Sequence, residues 1–192
     1  MALRERLQQV ARDAIVTAAF ELFAERGYAS VTVADIAKRA EVGRTTFFRY
    51  FGDKQEVVFA NEQQWLNGLS ERHREASAGK PPTLQQALVS LRTTAALICA
   101  QATQDPQRYR VREQLLQDNP ELNDRAGRKH RLFAATISGT LRDQGVSAET
   151  AALAAQLAVA CYNTGRELAG TNPAALGPAV DAAFARLRIT GS

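Results

Sequence analysis

The amino-acid sequence predicts an all-α protein of about nine helices. Three observations lead to this prediction. Residues typical of helix starts recur along the chain, apolar residues repeat at the three- and four-residue spacing of helix faces, and no stretch makes a convincing strand. The 192 residues are 45 % hydrophobic and 23 % charged, which is an ordinary composition for a globular protein with a substantial core.

The first helix is predicted to end at Gly27, directly after Arg26. Before this point the apolar residues repeat at the spacing of one helix face, which makes the helix amphipathic. These residues are Ile15, Ala18, Ala19, Leu22 and Phe23. We expect this helix to be the first of an N-terminal domain.

Residues 32–54 predict two short helices joined by a tight turn. Thr32 can cap the first helix together with Asp35, three residues later. Gly43 then provides the backbone freedom with which a chain leaves one helix and enters another at a steep angle.

The second short helix, residues 44–51, is predicted to have one buried and one exposed face. Phe47 and Phe51, four residues apart, share the buried face. The side chains expected to point elsewhere, two of them arginines, are Arg44, Thr45, Phe48 and Arg49.

The remaining helices are placed by their start signals. Asp53 can cap a longer helix reaching about Ser77, with Lys54 at its N-terminus, where a phosphate would fit. Residues 77–82, which contain a glycine and two prolines, end that helix. Further starts are predicted at Thr83, Pro106, Pro120, Ser147 and Pro173.

Two short helices with a tight turn form a helix-turn-helix, whose second helix enters the DNA major groove. An ordinary helical hairpin with solvated basic residues is the alternative. The residues favour the first interpretation. The run VGRTTFFRYF from Val42 to Phe51, the aliphatic and alanine-containing helix before it and Lys54 after it closely resemble the DNA-binding signature of the TetR/AcrR family of transcriptional repressors. The resemblance is specific over residues 11–58 and is architectural beyond them.

This resemblance implies that the recognition helix runs from Arg44 to Tyr50. Arg44 and Arg49 are the candidates for reading guanine edges, although either can equally hold a phosphate. Thr45 and Thr46 are expected to approach a thymine methyl group or a phosphate oxygen.

Other positions are implied to hold the DNA backbone. Thr32 and Lys54 match residues with this role in the family. Phe48 stands where most relatives carry a tyrosine, so we expect it to contact thymine methyl groups and leave the backbone to Tyr50.

The resemblance divides the chain into a DNA-binding domain, residues 1–54, and a helical effector-binding and dimerisation domain, residues 55–192. Helix-turn-helix proteins commonly dimerise onto palindromic half-sites of double-stranded DNA. We expect the last two helices to form a four-helix bundle between two copies of the chain, with packing inside one copy as the alternative. The predicted interface residues are Leu157, Val159, Val180, Phe184 and Leu187.

An effector pocket is implied among the middle helices, where a bound small molecule would swing the fourth helix. The predicted lining is Asn61, Trp65, Leu69, Leu91, Cys99, Phe133, Ile137 and Tyr162, with Asn163 as a further polar group. A plain core role is the alternative for each of them. An apolar lining with few aromatic residues predicts a hydrophobic ligand, such as an acyl chain or a lipophilic drug.

Several residues are not expected to form sites. Cys99 and Cys161 are interpreted as small buried hydrophobic residues, with no metal site and no cofactor. His73, His130 and the basic cluster at residues 125–131 are expected to face solvent.

The sequence contains few features typical of other function classes. A net charge of +4 does not by itself indicate nucleic-acid binding, and without a membrane span or signal core we expect a cytoplasmic protein. No catalytic triad, carboxylate pair or phosphate loop occurs at a usable spacing, so an enzyme is not predicted. An adaptor that has lost DNA binding is disfavoured by Arg44, Arg49 and Lys54. The resemblance therefore implies a ligand-responsive, homodimeric transcriptional regulator, and the tendency of the family favours a repressor.

Overall fold

The structure, a computed structural model, describes residues 3–60 and 81–187. Within these two ranges the chain forms nine α-helices and no strand, which confirms the predicted fold class. The helices are α1 (Leu3–Arg26), α2 (Val33–Arg39), α3 (Arg44–Tyr50), α4 (Lys54–Val58), α5 (Leu84–Ala102), α6 (Pro106–Asp118), α7 (Pro120–Asp143), α8 (Ala148–Ala169) and α9 (Pro173–Ala185).

Local caps begin the helices where the sequence predicts them. In α2 the Asp35 amide donates to Thr32 Oγ1 at 3.2 Å, and the Thr32 amide donates to Asp35 Oδ2 at 2.9 Å. Thr83 and Gln86 form the same reciprocal box at the start of α5. Helices α6, α7 and α9 each begin with a proline, whose missing N–H costs nothing in the first turn.

The fourth helix begins at the predicted position and ends earlier than predicted. Asp53 Oδ1 accepts from the Glu56 amide at 2.8 Å, and the helix ends at Val58, with Phe59 as its C-cap. The remainder of the helix predicted to reach Ser77 lies outside the described residues. The same is true of the predicted pocket residues Asn61, Trp65 and Leu69 and of His73.

A first apolar core joins α1 to α4. Its fully buried side chains include Ile15, Leu22, Ile36, Phe47 and Val57. Leu115 and Leu116 of α6 and Leu122 and Ala126 of α7 pack into the same core. The domain boundary after residue 54 stays a prediction, and the packing places residues 57–60 with the N-terminal core.

A second core lies among α5 to α9. Helices α8 and α9 approach most closely at Gly165, where an added Cβ would lie 2.3 Å from Val180 Cγ2 and 2.6 Å from Val180 Cα. Because both a side chain and the backbone of α9 occupy this space, only glycine allows the helices to pack so tightly.

Two of the predicted dimer-interface residues pack inside their own chain, as in the alternative of packing inside one copy. Val180 and Phe184 are buried in the second core, whereas Val159 is half-buried beside a small cavity. The dimer interface itself stays a prediction. Leu157 and Leu187 are half-buried against the same core and stay predictions.

Candidate nucleic-acid interface and neighbouring cavities

The turn between α2 and α3 is built differently from the prediction. Glu41, not Gly43, adopts the left-handed conformation, with a φ of 55°, whereas Gly43 has a φ of −72°. The Val42 amide donates to the Ala37 carbonyl at 2.9 Å and closes the turn. A non-glycine residue with positive φ is uncommon and carries a small conformational cost, so the packing around the turn must stabilise it.

Helix α3 presents the two predicted faces. Phe47 is completely buried and its ring lies 5.8 Å from that of Phe51, which is also buried. On the other side the exposed residues are Arg44, Thr45, Phe48 and Arg49. Thr46 and Tyr50 are partly buried at the edges of this face. The helix is therefore anchored by aromatic packing and carries two guanidinium groups outward.

The arginines in and beside α3 differ in whether a carboxylate of the same chain pairs with them. Arg39 at the end of α2 forms ion pairs with Glu21 at 3.1 Å and Glu25 at 2.8 Å of α1, and these carboxylates raise the pKa of Arg39. Arg49 donates to Thr46 Oγ1 at 3.2 Å, and Arg44 forms no ion pair with any described residue. The guanidinium groups of α3 thus stay available to an anionic partner.

Thr32 forms hydrogen bonds with Asp35 in its own domain. Its side chain and amide form the cap of α2, and these hydrogen bonds lower the pKa of Asp35. Its contact with the DNA backbone stays a prediction.

Lys54 is also occupied within the domain. Its ammonium donates to the Tyr28 carbonyl at 2.8 Å and to the Val31 carbonyl at 2.9 Å, and lies 4.1 Å from the centre of the Tyr28 ring. Sequence reasoning missed this role because the carbonyls of a turn more than twenty residues away leave no sequence pattern. The predicted phosphate contact of Lys54 is untested.

A small apolar cavity of about 60 Å³ lies between α5, α7 and α8. Four of the predicted pocket residues line it: Leu91, Phe133, Ile137 and Tyr162. Cys99 is buried in the second core but is not part of the cavity wall. The lining residues that the sequence did not predict are Thr94, Ala95, Ile98, His130, Ala158 and Val159.

The prediction that His130 faces solvent is wrong. Only 8 % of the residue is exposed, and its ring packs edge-on against Tyr162 at 5.8 Å. Burial, with smaller contributions from the charges of Arg112 and Arg166, lowers the pKa of His130 to about 4. The apolar stripe of α7 contains the signal that could have found this, because position 130 lies between Ala126 and Ala134 at helical spacing.

A second, open cleft of about 730 Å³ lies between α6, α7 and α8. Glu113, almost fully buried, stands at its inner wall and pairs with Arg112 at 2.6 Å and Arg166 at 3.0 Å. Its polar lining also includes Asn123, Asp124, Arg128, His130, Arg131, Asn163 and Glu167.

Ion pairs connect α7 to the start of α4. Arg125 donates to Asp53 Oδ2 at 2.9 Å, to Gln55 Oε1 at 2.7 Å and, through Nε, to Glu56 Oε1 at 3.0 Å. Lys129 donates to Glu56 Oε2 at 3.0 Å. The expectation that residues 125–131 only face solvent is therefore wrong for these two side chains, and we call this set of contacts the α4–α7 clamp.

The anchored α3, with its exposed arginines behind a tight turn, defines a helix-turn-helix protein. Residues 15–60 match the family described as bacterial regulatory proteins, tetR family. Over this N-terminal region the chain is similar to the TetR family, in agreement with the resemblance that its sequence shows. None of the described helices is long and apolar enough to cross a membrane.

Two relatives match part of the chain. The transcriptional regulator TcmR of Streptomyces glaucescens is 46 % identical over 74 residues, which are 36 % of this chain and 33 % of TcmR. The regulator HbdR of Aromatoleum sp. (strain CIB) is 26 % identical over 133 residues, 69 % of this chain and 58 % of HbdR. The matched region thus spans between a third and three fifths of these relatives.

Solved structures resemble the chain over most of its length. SmeT, the repressor of the Stenotrophomonas maltophilia multidrug efflux pump SmeDEF, has a TM-score of 0.56 at 21 % identity and covers 91 % of this chain and 89 % of its own. FadR of Thermus thermophilus, solved in complex with lauroyl-CoA, has a TM-score of 0.55 at 24 % identity, with 91 % of each chain covered. At such identities the likeness establishes the fold.

Proposed function

We propose that this chain is a sequence-specific transcriptional repressor that binds a palindromic operator as a homodimer and releases it in response to a hydrophobic effector. The observation that carries the proposal is the exposed face of α3. Two aromatic side chains, Phe47 and Phe51, fix the helix, while Arg44, Phe48 and Arg49 extend from its other side. A rigid helix with outward guanidinium groups has the shape and chemistry that reading a major groove needs.

The exposed residues of α3 have separate roles in this proposal. Arg44 and Arg49 donate to the O6 and N7 atoms of guanine, and the ring of Phe48, 49 % exposed, contacts thymine methyl groups. Thr45 and Thr46 lie beside them and contact a methyl group or a phosphate. Backbone contacts come from Thr32, Lys54 and Tyr50, which position the helix without reading sequence.

A second copy of the chain is proposed to pack on the outer faces of α8 and α9. On α8 these faces carry Leu153, 48 % exposed, and Leu168, 72 % exposed, with Ala160 between them. On α9 the exposed residues include Ala182 and Ala185, which let helices approach closely. The interface thus uses the faces opposite to Val180 and Phe184.

The effector is proposed to bind at the apolar cavity. The wall residues that the structure describes include no ionised side chain, since His130 is neutral at physiological pH, so an apolar group is favoured there. Two structural relatives have been solved with small molecules that contain an apolar part: SmeT with triclosan and FadR with lauroyl-CoA.

The α4–α7 clamp provides a route from effector to DNA in this proposal. Helix α7 carries the cavity residues His130, Phe133 and Ile137, and its preceding turns carry Arg125 and Lys129. A ligand that displaces α7 therefore also displaces the carboxylates at the start of α4 and, next to them, Lys54. Coupling of this kind requires the ligand to bind the two positions of α7 with different affinity.

Selection from random DNA duplexes tests the proposal. The full chain is incubated with a library of random 30-base-pair duplexes at moderate salt, and bound duplexes are amplified and sequenced over several rounds. We expect enrichment of one palindromic motif that binds at least about a thousandfold more tightly than random DNA. Absence of any enriched motif would remove sequence-specific regulation from consideration.

A further inference from the structure

Arg12 of α1 contacts two segments that lie far from it in the sequence. Its guanidinium group donates to the carbonyl of Ala60, in the turn after α4, and its Cζ atom lies 5.4 Å from the centre of the Phe51 ring, directly after α3. A planar guanidinium can make both contacts at once, because its face packs on a ring while its edge donates hydrogen bonds. Burial lowers the pKa of Arg12, although the charge of Asp13 acts in the opposite direction. The group is therefore partly withdrawn from water.

The contact with Phe51 acts on the end of α3. Phe51 is the C-cap of this helix, and its amide donates to the Phe47 carbonyl at 2.9 Å. Its ring lies 5.8 Å from the completely buried ring of Phe47. A cation over the face of an aromatic ring is attracted to it, and the attraction is stronger where water is excluded. Arg12 thus helps to fix the position of the last turn of α3.

The contact with Ala60 acts on the turn that follows α4. In this turn the Phe59 amide donates to the Glu56 carbonyl at 3.1 Å, and the Ala60 amide donates to the Val57 carbonyl at 3.2 Å. Ala60 is buried, and Arg12 provides a donor for its carbonyl. The α4–α7 clamp holds the start of α4, whereas Arg12 holds the turn after its end. The chain leaves the N-terminal core towards α5 from this turn.

We propose that Arg12 is a positioning residue that makes the end of α3 and residues 59–60 move together, so that a displacement of the turn after α4 changes how α3 meets DNA. The proposal rests on the proposed function, because it concerns the regulation of the same DNA-binding helix. A bidentate contact with a base requires both donors within hydrogen-bonding distance, so a small shift of α3 is enough to weaken it.

Hydrogen exchange of the full chain without DNA, measured by NMR, tests whether the two segments are joined. The reporters are the amides of Phe51 and Ala60, and the reference is the Ala40 amide of α2, which donates to the Ile36 carbonyl at 2.9 Å. Arg12→Met should accelerate exchange of both reporters at least about fivefold relative to the reference, because both segments open more easily once the guanidinium is lost. A general loss of stability would instead accelerate all three amides alike.

Arg108→Met is the matched control. The Cζ atom of Arg108 also lies over an aromatic ring of the N-terminal core, 5.7 Å from the centre of the Phe20 ring, and its guanidinium donates to Thr17 Oγ1 at 3.2 Å. These contacts resemble those of Arg12 but involve neither reporter residue, so the relative exchange rates should stay native. Arg12→Lys keeps a charge and a donor without the planar face. It should give the pattern of Arg12→Met with smaller changes, and it replaces that variant if Arg12→Met does not fold.

Operator binding provides the second measurement. Fluorescence anisotropy compares the affinities of each variant for the selected operator and for a scrambled duplex. The ratio of the two affinities does not depend on the fraction of the protein that is folded, so a purely structural role of Arg12 leaves it unchanged. Arg12→Met should reduce this ratio at least about threefold, whereas Arg108→Met should not.

Acceleration of only one reporter, or of neither, would overturn the proposal. An unchanged affinity ratio in a variant whose reporters both accelerate would also overturn it. Because the exchange measurement contains no DNA, its outcome is independent of operator binding. If no operator is selected from random duplexes, the proposed function fails, and the exchange rates alone decide whether Arg12 joins the two segments. If an operator is selected but the reporters do not respond together, the function stays and the role of Arg12 is lost.

Discussion

The ammonium group of Lys54 joins the start of α4 to the turn that follows α1. Two backbone carbonyls, of Tyr28 and Val31, and the face of the Tyr28 ring surround it. Both carbonyls lie in the turn after α1, where that of Tyr28 also accepts from the Val31 amide at 3.4 Å, and Lys54 adds a charged donor to each of them. At the same time burial lowers the pKa of Lys54, which shows that the group is partly withdrawn from solvent.

Replacing Lys54 with methionine should therefore destabilise the protein. We expect the free energy of unfolding to fall by about 1 to 3 kcal/mol, because two hydrogen bonds from a charged donor are lost. Urea denaturation followed by circular dichroism measures the change. Lys38→Met, at an exposed position of α2, is the control and should stay close to the native value. Equal stability of the two variants would show that the ammonium contributes little to the fold.

The lowered pKa of His130 predicts that the stability of the protein depends on pH. Its pKa is about 4 in the folded chain and about 6.5 when exposed, so between these values the unfolded chain binds a proton that the folded chain does not. Stability contributed by the neutral ring is present above pH 6.5 and is lost as the pH falls towards 4. The loss should amount to about 3 kcal/mol over this range.

The measurement compares urea unfolding of native protein and His130→Gln between pH 7 and pH 4.5. The native protein should lose stability more steeply than the variant, whatever the stability of the variant at pH 7. Parallel curves would mean that His130 titrates normally in the folded chain.

At the scale of helices, the sequence predicts well where each helix begins and poorly which other helices it packs against. Thr32, Asp53 and Thr83 cap helices through residues three positions away, so a short stretch of sequence contains the whole interaction. Arg125 reaches Asp53 and Glu56, about seventy residues earlier, and no local pattern distinguishes it from a solvated arginine. The buried position of His130 was missed for the same reason, since it depends on which helix packs opposite.

The energetic coupling across the α4–α7 clamp can be measured by a double-mutant cycle. Arg125→Met, Glu56→Gln and the double variant should give a coupling energy of about 1 to 2 kcal/mol in urea unfolding, because both side chains are largely buried. The control is the ion pair of Arg92 with Asp181 between α5 and α9, whose side chains are 42 % and 55 % exposed. Its coupling should be smaller, because solvent screens exposed pairs. A clamp coupling no larger than that of the control would remove this link between α7 and α4.

At the scale of the whole molecule, the two cores meet where α6 and α7 pack on α1 to α4. Leu115, Leu122 and Ala126 belong to the N-terminal core, while Tyr109 and Ile137 of the same two helices belong to the second. Helices α6 and α7 therefore connect the proposed DNA-binding domain to the proposed effector site. The family resemblance predicted separate DNA-binding and effector-binding domains. It did not predict which residues of α6 and α7 pack in both cores, because those contacts depend on the folded structure.

The proposed dimer gives a prediction at this scale. Leu153→Glu places a charge on the outer face of α8 and should convert a dimer into monomers, as measured by sedimentation velocity, because an unpaired charge is costly in an apolar interface. Leu132→Glu on α7, where the leucine is 56 % exposed, is the matched control and should leave the dimer intact. A Leu153→Glu protein that remains dimeric would place the interface elsewhere.

The most direct test of the central claim is fluorescence anisotropy with the selected operator and a scrambled duplex, over a range of salt concentrations. Native protein should prefer the operator. Arg44→Ala should lose most of this preference while retaining the salt slope to within about one unit, because one base-reading contact is worth about 1 to 3 kcal/mol of discrimination. Arg142→Ala, on α7, should behave as native. If Arg44→Ala discriminates between the two duplexes as well as native protein does, α3 is not the element that reads DNA.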